Sequence, residues 1–270
     1  MERRQHTPTS TLLFGTRHGQ PVVIKLSHAG TAESRSGHVL TAFGGRGVVR
    51  LLDTVGGALL LEQLQPGTRA SSVVDHSDDE ATDIISGVVA TMTAQPAVAS
   101  VPSAFAWGEA LTRHDARIHA WLPLAHVDAA MRAYCGLCRS QRAPRLLHGD
   151  LHHDNVILDA KRGWVAIDPQ GVSAESEFEL GAAIRNPVEH ASLITDLQTL
   201  QRRVDRYTSA LRMDARRIMA WAWTQTVLAL LWMIEDGEVG DTHPWPLLAE
   251  RILTRLSQQW PSYVAELTNV

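Results

Sequence analysis

Residues 146 to 158 read Leu-Leu-His-Gly-Asp-Leu-His-His-Asp-Asn-Val-Ile-Leu, so imidazoles, carboxylates and an amide crowd between two apolar runs. The flanking runs are β-prone, which places Asp150 and Asn155 five residues apart on one loop. A further apolar run, Trp164 to Ile167, ends on Asp168-Pro169, and a hairpin through Arg162-Gly163 would return Asp168 to the side of that loop. Carboxylate and amide oxygens suit Mg²⁺, which binds through one or two protein carboxylates and completes its shell with water and substrate phosphates. Asp150 would then remain to orient or deprotonate a hydroxyl.

Of the 25 basic residues only Lys25 and Lys161 are lysine. Lys161 falls in the turn Ala160-Lys161-Arg162-Gly163, whereas Lys25 lies inside Val22-Val23-Ile24-Lys25-Leu26, a strand pattern. Lysine is a compact charge and arginine a planar fork, so a lone strand lysine in an arginine-using chain suggests a task that needs the compact charge. An ammonium on a sheet, two metal-binding oxygens and a free carboxylate are the minimal kit for phosphoryl transfer, which needs positioning and charge stabilisation. Two other readings compete. His148, Asp150, His152, His153 and Asp154 could be zinc ligands, but no second ligand group follows at helical spacing and Lys25 and Asp168 then have no role. Alternatively, the loop is non-catalytic and its polar side chains only cap backbone groups.

The elements that would carry these residues fall into two parts. Thr11–Arg17 and Pro21–Ser27 read as a hairpin around His18-Gly19-Gln20. Thr31 can cap a helix over 32–43, with Val39, Leu40 and Phe43 on one face. Val48–Leu52 and Ala58–Leu64 read as two more strands around Gly56-Gly57. After the break at Gln65-Pro66-Gly67 the pattern is helical over 78–93, 124–140, 192–211, 214–235 and 245–257. The expectation is an α+β protein with a strand-rich part over 1–64 and a helical part over 65–270 that carries the polar loop.

Composition bounds the function. A chain of 270 residues with 44% hydrophobic and 20% charged residues has enough apolar material to fold around a core. A net charge of -4 argues against a general nucleic-acid binder, which needs a basic excess to neutralise phosphates. The acidity is concentrated in residues 151–270, which suits either a solvated surface or a cationic ligand. Two cysteines exclude a disulfide-stapled scaffold, and Cys135 and Cys138, without a second pair, read as incidental helical thiols. The charged start shows no signal peptide. The most apolar stretch, Met219–Ile234, is interrupted by Thr224, Gln225 and Thr226 and reads as too short and polar to cross a bilayer. No membrane partner and a cytoplasmic location are therefore expected.

At these residues the sequence resembles the protein-kinase-like small-molecule phosphotransferases, whose catalytic loop is His-x-Asp-x-x-x-x-Asn; His148 to Asn155 match it at each fixed position. More narrowly it resembles the aminoglycoside/hydroxyurea antibiotic resistance kinases, the streptomycin 6-kinase branch, through HGDLHHDN, Arg162-Gly163-Trp164, Ile167-Asp168-Pro169, Gly45–Leu52, Ala58–Glu62 and Arg185-Asn186-Pro187. The resemblance spans nearly the whole chain. It implies a two-lobed protein-kinase-like fold, with a nucleotide-binding N-lobe over 1–64 and a catalytic and substrate lobe over 65–270. It also implies use of ATP and Mg²⁺, and transfer to a hydroxyl of a small molecule, foremost a streptomycin-type aminoglycoside. Hydroxyurea or another hydroxylated metabolite as acceptor, or a nucleotide-holding pseudokinase, are the alternatives. By the same resemblance Asp150 is the base, Asn155 and Asp168 hold Mg²⁺, and Lys25 contacts the phosphates while paired with Glu33. The backbone of Glu62, Gln63 and Leu64 faces the adenine, and His148 supports the loop.

Three departures stand out. No Gly-x-Gly-x-x-Gly precedes Lys25, so Thr9-Ser10-Thr11 is the nearest phosphate-covering turn, with Ser10 as candidate contact. The N-terminus looks short, so a first strand is expected to be missing or irregular. Glu179 stands where the family often has Asp. For the acceptor, Glu179, Trp232, Glu235 and Asp236 are the candidates: carboxylates at a helix C-terminus oppose the helix dipole, so Glu235 and Asp236 call for a compensating role such as binding a cation. Asp236→Asn is accordingly expected to raise KM for a cationic acceptor and leave KM for the nucleotide unchanged, as measured by steady-state kinetics.

Overall fold

The computed structural model describes residues 3–7, 9–28, 36–92, 95–113, 115–238 and 242–269. The chain divides into two compact units, one of residues 1–101 with 146–171 and the other of 102–145 with 172–270. This division differs from a boundary at 64/65. The polar loop and the hairpin after it pack with the strand-rich part, because backbone bonds tie them there.

The first unit holds a five-stranded antiparallel sheet in the order β1-β2-β3-β5-β4, built from β1 (Arg3–His6), β2 (Ser10–Arg17), β3 (Gln20–Ser27), β4 (Leu51–Val55) and β5 (Ala58–Glu62). His18 and Gly19 both take positive φ, 51° and 75°, which gives the two-residue turn whose twist matches the β2–β3 strands. The first strand, expected to be missing or irregular, is present: β1 pairs with β2 from Arg3↔Phe14 to His6↔Thr11. Its sequence, Arg-Arg-Gln-His, carries no apolar signal, and every residue of β1 is exposed. Helix α1 (Ser36–Phe43) buries Ser36, Val39, Leu40 and Phe43, an i, i+3, i+4, i+7 stripe. The expected helix start and cap, including Thr31 and Glu33, lie outside the described residues.

Three further strands, β6 (Pro66–Arg69), β8 (Val156–Asp159) and β9 (Gly163–Ala166), form a second small sheet in the same unit, while β7 (Arg145–Leu147) leads into the polar loop. The segment before β4 holds β9 in place: Val49 N–H donates to Ala166 O and Ala166 N–H to Gly47 O, both at 2.8 Å. These bonds take Val48–Arg50 out of the predicted strand, which starts at Leu51 instead. Two helices follow β6: α2 (Ser71–Val74) and α3 (Asp78–Met92). Asp78, Asp79 and Glu80 occupy the first turn of α3, where the helix dipole favours carboxylates.

The second unit is helical apart from β10 (Val172–Ala174). It comprises α4 (Ala104–Trp107), α5 (Ala110–Arg113), α6 (Leu124–Arg139), α7 (Leu180–Ile184), α8 (Ala191–Ile194), α9 (Leu197–Leu211), α10 (Ala215–Asp236), α11 (Trp245–Gln259) and α12 (Pro261–Thr268). The single helix expected over 192–211 is two, because the Asp196 carboxylate accepts from Thr199 N–H at 2.7 Å and caps a new start. Helix α10 spans 22 residues and is long and apolar enough to cross a membrane, contrary to the sequence reading, yet 83% of its most apolar window is buried within the protein. Its polar residues are satisfied there. Thr224 and Thr226 donate to Ala220 O and Ala222 O at 3.0 and 2.6 Å, and Gln225 Nε2 donates to Phe178 O at 2.8 Å.

A buried ion pair ties α10 to α6 and to the segment after β10. Glu175 and Arg217 are both buried; Glu175 Oε1 accepts from Arg217 Nε at 2.7 Å and from Trp221 Nε1 at 2.6 Å, and Oε2 accepts from Arg142 N–H at 3.2 Å. Arg217 also donates to Ser140 Oγ and Leu137 O. Removing one partner would strand the other charge in the core. Glu175→Ala should therefore lower unfolding free energy by about 3–5 kcal/mol in urea titrations; a loss below about 1 kcal/mol would show that the network is dispensable.

Candidate active site

The polar loop is fastened from beneath by His148, which is fully buried. Its backbone carbonyl accepts from Gln170 and Gly171 N–H, both at 2.9 Å. Its ring bridges two other backbone groups: Nδ1 lies 3.3 Å from Asp150 N–H and Nε2 lies 2.8 Å from Ile167 O. The amide can only donate and the carbonyl can only accept, so the ring is the neutral Nε2–H tautomer. Burial pushes its pKa below the ordinary histidine value, outweighing the Ile167 hydrogen bond and the nearby Asp150 and Asp168 charges. Both nitrogens face protein backbone, which removes His148 from any zinc set; among the described residues no group of three or more His, Cys, Asp or Glu converges as a metal site.

Asp168 follows β9 and takes a left-handed conformation, φ 63°. Aspartate tolerates this region better than most residues, at a cost of about 1–2 kcal/mol. Its neighbours enforce it. Ile167 N–H donates to Asn155 O at 2.8 Å, and Ser36 Oγ donates to Pro169 O at 2.9 Å. Gly171 completes the turn at φ +80°, and a Cβ there would lie 2.4 Å from Val39 Cγ2. The turn delivers the Asp168 carboxylate to Lys25, whose Nζ donates to Oδ1. Lys25 lies buried in the middle of β3, opposite Leu12 and Leu59, so its charge has to be paired there.

Asn155 and Asp150 meet on the other side of the loop. Asn155 Nδ2 donates to Asp150 O at 2.9 Å and approaches His152 Nε2 at 3.1 Å and Asp150 Oδ2 at 3.5 Å. The amide nitrogen is thus spent inside the loop, and among the described residues Asn155 Oδ1 accepts no hydrogen bond. Asp168 likewise gives Lys25 one oxygen and keeps Oδ2. Two hard oxygens left over by otherwise satisfied side chains fit a Mg²⁺ ion that also binds phosphates.

The match to known proteins follows this geometry. The family described as aminoglycoside/hydroxyurea antibiotic resistance kinase matches residues 3–237. The chain belongs to that family. Hydroxyurea phosphotransferase from Kitasatospora aureofaciens is 32% identical over 80% of this chain and 63% of its own length. Streptomycin 6-kinase from Streptomyces griseus is 31% identical over 73% of this chain and 66% of its own. The chain therefore spans a little under two thirds of the length of these two relatives. Among solved structures, aminoglycoside phosphotransferase APH(4)-Ia, a ternary complex with ADP and hygromycin B, aligns with TM-score 0.61 at 12% identity over 98% of this chain and 93% of that one. The fold is the protein-kinase-like one.

In this family member the remaining expected residues have varied surroundings. Glu33 lies outside the described residues, and among the described ones Asp168 is a partner of Lys25. Ser10 is buried, and its hydroxyl lies 2.9 Å from Thr7 Oγ1 within the β1–β2 turn. The Glu62 carboxylate is engaged by Arg162 and by Arg50 N–H at 2.8 Å, and Gln63 N–H donates to Pro21 O at 3.2 Å. Leu64 is buried. In the second unit Glu179 is buried after β10, Trp232 packs edge-on against Trp107 at 5.8 Å, and Glu235 is held by both Arg113 Nε and Nη2 at 3.0 and 2.8 Å. Arg113 thus answers the helix-dipole problem posed by Glu235, while Asp236 ends α10 exposed. Burial raises the Cys138 thiol to about 12, which leaves no reactive thiolate.

Sequence reasoning passed over Arg162 as anything but part of a motif. Its guanidinium binds Glu62 and donates to Gly45 O and to Val48 O at 3.0 Å, tying the β8–β9 turn to β5 and to the segment that holds β9. Only its place beside Gly163 in a turn hinted at a fixed position.

Because His148 is neutral and buried when folded but free to protonate when unfolded, the unfolded state binds more protons below the ordinary value of about 6.5. Stability from this site is thus present above that pH and lost as pH falls towards the lowered folded value. Thermal midpoints should fall more steeply below about pH 6.5 in the parent than in His148→Gln; equal slopes would show that His148 does not carry the effect.

Proposed function

We propose that this protein transfers the γ-phosphoryl group of ATP to a hydroxyl of a small molecule, with a streptomycin-type aminoglycoside as the leading acceptor. The observation that carries this reading is the convergence, within one unit, of Lys25 on Asp168 and of Asn155 on Asp150, around a loop whose sequence is that of the family. ADP in the APH(4)-Ia complex and the streptomycin 6-kinase relative support the nucleotide and the acceptor class.

In this reading Asp150 accepts the proton of the acceptor hydroxyl as its oxygen bonds to the γ-phosphorus. The bond from that phosphorus to the β,γ-bridging oxygen breaks and ADP leaves. Lys25 offsets charge on the α- and β-phosphates, and Asp168 beside it keeps the ammonium in place. Asn155 Oδ1 and Asp168 would hold Mg²⁺, which when bound neutralises phosphate charge. Ser10 begins β2 with its backbone N–H and hydroxyl both turned to Thr7 Oγ1, at 2.9 Å each, so a contact from this turn to the phosphates would have to come from Thr9. Glu62 serves as an anchor for Arg162, and the adenine is met by the backbone at Glu62–Leu64. His148 fixes the loop without titrating in the cycle.

Hydroxyurea is the second reading for the acceptor, favoured by the 32% identical phosphotransferase. A panel of acceptors with ATP, read by mass spectrometry of the product, separates the two: streptomycin is expected to gain one phosphoryl group, and a product only with hydroxyurea would move the assignment. Asp150→Ala should lower kcat by about 10²–10⁴-fold and leave nucleotide binding intact. Near-normal turnover would overturn its role as base.

A further inference from the structure

His152 is unassigned in the scheme above, yet it faces both reacting and metal-binding groups. Its Nε2 lies 3.1 Å from Asn155 Nδ2 and 3.6 Å from Asp150 Oδ2. It begins the short turn His153–Asn155 without capping it through its side chain, so a capping role does not account for its position. Its Nδ1 is buried with no hydrogen-bond partner, and Asp154 Oδ2 lies 3.9 Å away. Asp154 is itself held by Ser71 Oγ at 2.6 Å and by Arg69.

We propose that His152 is a positioning residue that sets the Asn155 amide for metal coordination. The amide has two N–H groups. One donates to Asp150 O, and His152 Nε2 accepts the other. This requires the Nδ1–H tautomer, and the anchored Asp154 carboxylate on the Nδ1 side favours it. With both N–H groups taken, Oδ1 is the only atom the side chain can offer to Mg²⁺. Without His152 the second N–H turns to Asp150 Oδ2, now at 3.5 Å, and competes with the acceptor hydroxyl for the base. Partners of this outer kind orient metal ligands and commonly change metal affinity by about 10–100-fold when removed.

The inference rests on the phosphotransferase reading, and the test separates the two. Mn²⁺ binding in the presence of the non-hydrolysable nucleotide AMP-PNP is followed by electron paramagnetic resonance. His152→Leu keeps the bulk but loses the acceptor; it should weaken Mn²⁺ binding by about 10–100-fold and lower kcat with the acceptor KM unchanged. His152→Gln places an oxygen near the Nε2 position and should recover most of the affinity. In an Asn155→Asp background, where either carboxylate oxygen can face the metal, adding His152→Leu should cost no further affinity. Parent-like Mn²⁺ binding in His152→Leu, failure of Gln to rescue, or additive losses in the double variant would each overturn the positioning role. If the parent neither binds Mn²⁺ with AMP-PNP nor phosphorylates any acceptor, the phosphotransferase reading falls and this inference with it.

Discussion

The ion pair between Lys25 and Asp168 is the constraint around which the first unit is arranged. A buried ammonium in the middle of a sheet is tolerable only beside a counter-charge. Among the described residues a counter-charge comes from 143 positions away, on a turn with an unfavourable backbone angle. Everything that holds that turn therefore also holds the pair: His148 beneath Gln170 and Gly171, Asn155 on Ile167, and Ser36 on Pro169. Strain at Asp168 and the position of Lys25 are two sides of one arrangement, with backbone hydrogen bonds supplying the energy that the left-handed aspartate costs.

The loop itself solves a satisfaction problem. Six polar residues in a short, partly buried segment each need partners, and several find them in the loop's own backbone or in the elements under it. His148 spends both ring nitrogens on backbone, Asn155 spends its nitrogen on Asp150, and Asp154 spends an oxygen on Ser71. Among the described residues, Asn155 Oδ1 and Asp168 Oδ2 accept no hydrogen bond, and His152 Nδ1 is another loop atom left without one. Under the phosphotransferase reading those two oxygens are the ones a hard cation would use. The second unit meets the same demand with a different device: Glu175 and Arg217 are both charged and both buried, but each also has neutral partners, so α10 can carry polar side chains through a core.

The loop residues, the strand lysine, the hairpin turn at His18-Gly19 and the long helices were legible because each has a local signature: charge density between apolar runs, period-two and period-3.6 patterns, turn residues. The first strand was not, since β1 is wholly exposed and is a strand only because β2 offers it an edge. The split between α8 and α9 hinged on one capping carboxylate inside a continuous helical pattern. The roles of Arg162 and Ser71 were invisible for another reason: their partners, Glu62 and Asp154, lie 100 and 83 residues away.

The sequence by itself determined the kinds of atoms available for chemistry and the elements on which they ride, because side-chain type and periodicity are local properties. Only the tertiary structure decided which atoms are left over. Asp168 pairs with Lys25, His148 becomes a buried neutral ring and the Asn155 oxygen stays unengaged because distant backbone groups compete for the same donors and acceptors. That competition is settled by packing, which no stretch of sequence contains.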